Sequence, residues 1–264
     1  MSLRSLTETL ARTKAAGRAA LIAYLPAGFP TVDAGIAAIR ATLDAGADIV
    51  EVGLPHSDPV LDGPVIQTAD DIALRGGLRI ADVLRTVREV HAATGKPVLV
   101  MSYWNPVARY GVERFARELA AAGGSGCVLP DLPVAESAEW RRHAAAHDLA
   151  TVFVVAPSST DSQLAETAAA GTGFVYASAL MGVTGTRESV DEAAAVLAHR
   201  LRAVTDLPVC VGMGVADARQ AAEVAAFADG VIVGSALVET LLGAHEGTAA
   251  LERLTARLAA GVRA

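Results

Sequence analysis

A carboxylate inside an apolar strand is the feature that most limits how this chain can fold. Glu51 stands in the middle of the run Ile49–Leu54, which reads IVEVGL. Continuous apolar runs of this kind are typical of parallel strands that are buried on both faces. A carboxylate buried there costs several kcal/mol unless it is paired, neutralised or used in chemistry. The pattern therefore predicts either a buried structural carboxylate or an active site on this strand.

Eight apolar runs alternate with Ala-rich segments of helical period along the 264 residues. The predicted strands are Ala19–Leu25, Ala47–Leu54, Pro97–Tyr103, Gly126–Leu129, Ala150–Ala156, Phe174–Ser178, Pro208–Gly212 and Gly230–Val233. The predicted helices lie near 31–45, 79–94, 112–123, 135–147, 160–170, 188–202, 217–226, 236–243 and 247–261. Eight such units predict one (β/α)8 TIM barrel over residues 1–264. A doubly wound open sheet is the alternative, which the lack of an early Gly-x-Gly-x-x-Gly disfavours.

Two segments exceed a minimal barrel. Residues 1–17 form a predicted extra helix before the first strand, where it would cover the amino-terminal end of the barrel. Val65–Leu74 is predicted to be an inserted helix after the second strand.

Composition narrows the partners and the location. A net charge of −7 argues against nucleic acid and anionic membranes, which favour a basic face. The chain shows no apolar run of about 18 residues, and it opens on a polar amphipathic helix, so neither a membrane span nor a signal peptide is predicted. Cys127 and Cys210 lie in apolar runs, and two buried free thiols fit the cytoplasm.

The active site of such a barrel lies at the carboxyl ends of its strands. Strand two brings Glu51 there, and Asp62 follows in the next loop. A buried carboxyl without a cationic partner should have a raised pKa, which suits an acid and base near neutrality. Asp62 is expected to be more solvated and ionised, although an Asp-Gly turn with Gly63 is an alternative interpretation. The pair predicts acid–base catalysis.

Glycines follow the sixth, seventh and eighth predicted strands. They include Gly182, Gly185, Gly212, Gly214 and Gly234. Each alone is typical of a turn, but backbone N–H groups approach a phosphate closely only where no Cβ intervenes. A helix that begins at Ser235 would add its positive end. These loops together predict a phosphate site without Lys or Arg.

Lysine is scarce, and this limits the chemistry. The chain has only Lys14, in the leading helix, and Lys96, before the third strand. A Schiff-base aldolase, which needs an active-site lysine, is therefore disfavoured. His143 and His147 have metal-ligand spacing, but they belong to the polar side of their segment, so no metal is predicted.

These residues resemble the alpha subunits of tryptophan synthase, nearly end to end. The motifs that carry the resemblance are Tyr24–Pro30, Glu51–Gln67, Tyr103–Pro106, Leu129–Pro133, Gly182–Arg187, Gly212–Gly214 and Gly234–Ser235. The Glu51–Gln67 signature is the most specific of them, because it holds both carboxylates in one frame. The family cleaves indole-3-glycerol phosphate to indole and glyceraldehyde 3-phosphate by a retro-aldol reaction.

The resemblance implies a role for each matching residue. Glu51 resembles the acid and base that protonates indole C3 and takes the proton of the glycerol hydroxyl. Asp62 resembles the acceptor of the indole N–H. The resemblance also places Tyr103 and Met101 in the indole pocket, Tyr176 on the site wall, Thr184 in a substrate-covering lid near Asp62, and Gly185, Gly214, Gly234 and Ser235 at the phosphate.

The resemblance further implies a beta subunit as partner, in an alpha2beta2 complex. Pyridoxal phosphate would belong to that partner, and this chain would need no cofactor. Asp58, Asn105 and Pro133 resemble the partner-facing surface, and Gly182–Val190 resembles the mobile lid. Many members have Phe where this chain has His56, a departure beside the partner-facing loop.

Three other functions stay open at this point. A stand-alone lyase would release free indole without a partner. A non-catalytic phosphate-binding protein would only activate a beta subunit. A phosphosugar isomerase on the same barrel is the nearest alternative enzyme outside the family.

Overall fold

The computed structural model describes residues 2–179, 187–212, 214–243 and 247–264, which form a ring of parallel strands surrounded by helices. The strands are β1 Ala20–Pro26, β2 Ile49–Gly53, β3 Val98–Met101, β4 Gly126–Val128, β5 Ala150–Val152, β6 Val154–Val155, β7 Val175–Ser178, β8 Val209–Gly212 and β9 Gly230–Val233. The helices are α1 Ser2–Ala15, α2 Val32–Asp44, α3 Pro64–Arg75, α4 Ile80–Thr94, α5 Trp104–Tyr110, α6 Val112–Ala121, α7 Ala138–Ala146, α8 Asp161–Ala170, α9 Arg187–Arg202, α10 Ala218–Ala225, α11 Ser235–Leu242 and α12 Ala249–Gly261.

The sheet is a nearly closed barrel. Its strand order is β5-β4-β3-β2-β1-β9-β8-β7-β6, and every pairing is parallel. Only Phe153 separates the two end strands along the chain, so the predicted TIM barrel is confirmed. The fifth predicted strand, Ala150–Ala156, is split because its first half pairs with β4 and its second half with β7.

Both predicted additions to the barrel are present. Helix α1 places Leu6 and Leu10 in a buried cluster with Ile22, Ile49 and Leu99. These strand residues point into the barrel, so α1 closes its amino-terminal end. Helix α3 packs against β1 and α11 beside the other end. None of the helices in the described ranges is long and apolar enough to cross a membrane.

Helix α5 was not predicted from the sequence, and the helix predicted near 135–147 begins as a 3-10 turn at Val134–Glu136 before α7. The backbone N–H of Trp104, at the start of α5, donates to the carboxylate of Asp131 at 2.8 Å. The residue that caps this helix therefore comes from the loop after β4. Local sequence patterns do not reveal a cap that lies 27 residues away.

Candidate active site

Glu51 lies in the barrel interior at the carboxyl-terminal half of β2. Ile49 belongs to the interior cluster, and the strand alternation points Glu51 to the same side. The residue is 0 % exposed, and within the described residues neither carboxyl oxygen has a hydrogen-bond partner. Burial raises the pKa of Glu51 to about 8. The structural alternative, a carboxylate paired with arginine or backbone amides, is therefore wrong for the part of the chain that is described.

Asp62 lies in the loop after β2, and its carboxylate is hydrogen-bonded to Tyr103, just after the end of β3. The Tyr103 hydroxyl donates to Asp62 Oδ2 at 2.8 Å and accepts from the Leu61 N–H at 2.9 Å. Burial raises the pKa of Asp62, and the Tyr103 hydrogen bond and nearby His56 oppose that shift. Asp62 is more solvated than Glu51, as predicted, although Tyr103 and the loop leave it half-buried. His56 packs against the Tyr103 ring with centroids 4.8 Å apart.

A third carboxyl, which the sequence reading missed, shares this end of the barrel. Asp70 on α3 is only 3 % exposed, and one of its oxygens has no hydrogen-bond partner among the described residues. A cavity of about 10 Å³ is lined by Tyr24, Leu54, Asp62, Asp70, Met101, Ser102, Tyr103 and Pro130. The available signal was periodicity, since Asp70 follows Ile66 by four residues and precedes Ala73 by three on the buried helix face.

Two tyrosines lie over glycines of neighbouring strands. Tyr24 of β1 covers Gly53 of β2, and Tyr176 of β7 covers Gly212 of β8. A Cβ on either glycine would collide with the tyrosine ring and hydroxyl. Any larger residue at these two positions would therefore force the tyrosine side chain to shift. Tyr176 packs against the interior cluster that contains Ile49 of β2, and burial and the charge of Glu51 raise its pKa.

Three of the residues predicted to bind phosphate, Gly214, Gly234 and Ser235, follow β8 and β9 at the carboxyl-terminal end of the barrel. Gly234 is the residue before α11, and Ser235 is its exposed first residue. Gly214 is exposed and has a φ of 72°, a left-handed conformation that favours glycine. Thr184 and Gly185 lie outside the described residues, as does the predicted lid up to residue 186.

The residues predicted to face a partner are all on the surface. Asp58, Asn105 and Pro133 are exposed. Val60 is 82 % exposed in the same loop as Asp58, and this is unusual for a large apolar side chain.

Met101 is half-buried and lines the cavity beside Asp62. Across the described ranges, no group of three or more His, Cys, Asp or Glu has the arrangement of a metal site.

Comparison with known proteins connects this geometry to one family. A model of the family "Tryptophan synthase alpha chain" matches residues 10–262. A tryptophan synthase alpha chain of Streptomyces avermitilis is 73 % identical over 98 % of this chain and 94 % of its own length. One from Streptomyces coelicolor is 70 % identical over 99 % and 98 %.

Solved structures agree with the sequence matches. A chain in a Mycobacterium tuberculosis tryptophan synthase structure superposes with a TM-score of 0.92 and 51 % identity, covering 98 % of both chains. The tryptophan synthase subunit alpha of Legionella pneumophila superposes with a TM-score of 0.89 and 30 % identity, also over 98 % of both. The overall fold is therefore shared with these structures over almost the whole chain.

Proposed function

The chain belongs to the tryptophan synthase alpha chain family and is a lyase of indole-3-glycerol phosphate, and we propose that Glu51 and Asp62 perform its carbon–carbon cleavage. The observation that carries the proposal is the buried Glu51 carboxyl, which lacks a hydrogen-bond partner among the described residues. An acid held this way is free to exchange a proton with a substrate. Its pKa of about 8 lets it donate and accept near neutral pH.

The proposed reaction uses Glu51 twice. The protonated carboxyl first donates its proton to indole C3, which leaves a positive charge on the ring. The resulting carboxylate then takes the proton of the glycerol hydroxyl. The bond between C3 and the side chain breaks, its electron pair returns to the ring, and the hydroxyl carbon becomes the aldehyde of glyceraldehyde 3-phosphate. Glu51 ends in its starting state, so no other acid or base is needed.

Asp62 has the complementary role in this proposal. Its carboxylate accepts a hydrogen bond from the indole N–H, and its charge offsets the positive charge that develops on the ring. Tyr103 supports this role, because its hydroxyl holds Asp62 Oδ2 while it accepts from the Leu61 N–H. A carboxylate fixed in this way loses little entropy when the substrate binds.

The rest of the pocket is assigned to substrate binding. Tyr103 and Met101 contact the indole in this proposal, and Tyr176 forms a wall beside Glu51. Gly214, Gly234 and Ser235 hold the phosphate through backbone N–H groups and the start of α11. Thr184 and Gly185 stay predictions for the lid and the phosphate.

The family implies a tryptophan synthase beta partner in a complex. We further propose an alpha2beta2 assembly in which the pyridoxal phosphate belongs to the partner and this chain carries no cofactor. The exposed Asp58, Asn105 and Pro133 would contact that partner, and exposed Val60 supports a protein-binding surface. The buried free thiols of Cys127 and Cys210 support a cytoplasmic location.

Indole release tests the proposed function directly. The full chain is incubated with indole-3-glycerol phosphate, with and without a beta subunit, and indole is quantified. We expect slow release alone and faster release with the partner. Equal rates would indicate a stand-alone lyase. Activation of the beta subunit without indole formation would indicate a non-catalytic activator, and it would overturn the roles of Glu51 and Asp62.

A further inference from the structure

Asp70 is a buried carboxyl that the cleavage described above does not use. It is 3 % exposed, and Oδ1 has no hydrogen-bond partner among the described residues. The backbone N–H of His56 lies near the carboxyl and partly opposes the rise of its pKa. Asp70 also lines the same small cavity as Asp62 and Tyr103, so it faces the proposed indole end of the site.

The groups around Asp70 offer little positive charge. Helix α3 packs against β1, which presents Tyr24, and against α11, whose only ionisable residue is the exposed Glu239. On α3 itself, Asp71 and Arg75 are exposed and pair with each other. The loop after β2 contributes Asp62 and His56, and the residues after β3 contribute Tyr103.

Two carboxyls that share one small cavity do not both ionise easily. Burial, and to a smaller extent the negative charge of Asp62, raise the pKa of Asp70 to about 7. At neutral pH, Asp70 is therefore divided between its protonated and ionised forms. A bound indole ring would remove water from this cavity, and desolvation favours the protonated form.

We propose that Asp70 is a positioning residue that must be protonated when the indole ring binds, so that Asp62 carries the single negative charge beside the ring nitrogen. The inference rests on the proposed role of Asp62. When Asp70 is ionised, the cavity holds two negative charges, and covering both with an apolar ring is costly. Substrate binding should therefore weaken as the pH rises above neutrality, and binding should take up a proton.

Calorimetry with an unreactive ligand isolates this effect. The probe is the analogue of indole-3-glycerol phosphate in which both glycerol hydroxyls are replaced by hydrogen. Its Kd is measured from pH 6 to pH 9 for the full-length wild type and for Asp70→Asn. Because Glu51 and the ligand phosphate titrate in both proteins, the Kd of the wild type divided by the Kd of Asp70→Asn reports the titration of Asp70 alone. We expect this ratio to rise about tenfold between pH 7 and pH 8.5, because only the wild type loses affinity through Asp70.

A neighbouring carboxylate supplies the matched control. Asp71 is exposed on the same helix and pairs with Arg75, so Asp71→Asn should keep the pH dependence of the wild type. Asp70→Ser is a second neutral variant, should Asp70→Asn fold poorly, and it should behave as Asp70→Asn does. A Kd ratio that is constant across the pH range would overturn the proposal. This holds even if Asp70→Asn binds the ligand more weakly than the wild type by the same factor at every pH.

Turnover gives an independent readout. In indole release from indole-3-glycerol phosphate, the KM of the wild type should rise with pH more steeply than that of Asp70→Asn, while the two kcat values should stay within a few-fold. A matching change in kcat instead of KM would contradict a role in binding. If the wild type released no indole, the proposed function would fail. The calorimetric measurement would still test whether ligand binding depends on the protonation of Asp70.

Discussion

Two acidic residues three positions apart on one strand run show how this barrel separates stability from chemistry. Asp48 lies just before β2, where Arg18 donates to both of its oxygens at 2.7 and 2.8 Å and the Leu21 N–H donates at 2.9 Å. Glu51, three residues later, has no hydrogen-bond partner in the described part of the chain. The same kind of group thus stabilises one end and remains reactive at the other.

The pKa values of these two acids move in opposite directions. Burial raises the pKa of Asp48, but the hydrogen bonds from Arg18 and Leu21 outweigh burial and lower it overall. Asp48 therefore stabilises the fold above its ordinary pKa, and this contribution is lost as the pH falls through the lower, folded value. Burial raises the pKa of Glu51 from 4.5 to about 8, so the fold loses stability as the pH rises through that window.

Replacement of Glu51 tests the comparison most strongly. Glu51→Gln keeps the shape of the side chain but removes the exchangeable acid proton. We expect indole release to fall at least about a thousandfold, or roughly 4 kcal/mol in the activation free energy. The measurement is kcat for cleavage of indole-3-glycerol phosphate in the complex with a beta subunit.

The control for Glu51→Gln is Asp48→Asn, which changes an acid at the other end of the barrel. Its turnover should match the wild type at a temperature where both are folded. Glu51→Gln should also be more stable than the wild type at pH 8.5, because it has no carboxyl to ionise in the interior. Normal turnover in Glu51→Gln would refute the catalytic assignment.

Asp62→Asn is expected to have the next largest effect. The amide keeps an acceptor oxygen for the indole N–H but loses the negative charge that offsets charge on the ring. We expect kcat/KM to fall about a hundredfold, or roughly 2.7 kcal/mol.

Tyr103→Phe removes only the hydroxyl that donates to Asp62, and we expect kcat/KM to fall about tenfold. A larger loss in Tyr103→Phe than in Asp62→Asn would show that the tyrosine, and not the carboxylate, meets the substrate.

The sequence predicted the parts of this site that depend on local pattern. The continuous apolar run of β2 predicted the burial of Glu51, and the repeated strand and helix segments predicted the barrel. Asp62 is more solvated than Glu51, as predicted, but its hydrogen bond to Tyr103, 41 residues away, was not predicted. Asp70 was missed because a polar residue on a helix is ordinarily solvated; its spacing from Ile66 and Ala73 marks the buried face of α3, but only the packing of α3 against β1 and α11 shows what buries it. A local period can mark a buried face, but contacts between distant segments set the charge and hydrogen bonds around each carboxyl.

At the amino-terminal end, the same comparison predicts a loss of stability without a loss of chemistry. Asp48→Asn removes the charge that holds Arg18 and weakens the acceptor for the Leu21 N–H. We expect the free energy of unfolding to fall by about 2 kcal/mol at pH 7, since both side chains are largely buried. Denaturant unfolding measures it. The difference from the wild type should shrink as the pH falls below 4, and a constant difference would contradict the ion pair as its cause.

The smallest predicted effect concerns space at the catalytic end. Gly212→Ala places a Cβ against the ring of Tyr176, although the Gly212 backbone is not left-handed and accepts alanine. The ring must shift, so we expect a loss of about 1 kcal/mol in stability and a fall of about fivefold in kcat/KM, because Tyr176 lies beside Glu51. Gly63→Ala is the matched control, since its Cβ meets no atom within 4 Å although it adjoins Asp62. Equal behaviour of the two variants would show that Tyr176 has no positional role, because only Gly212 contacts its ring.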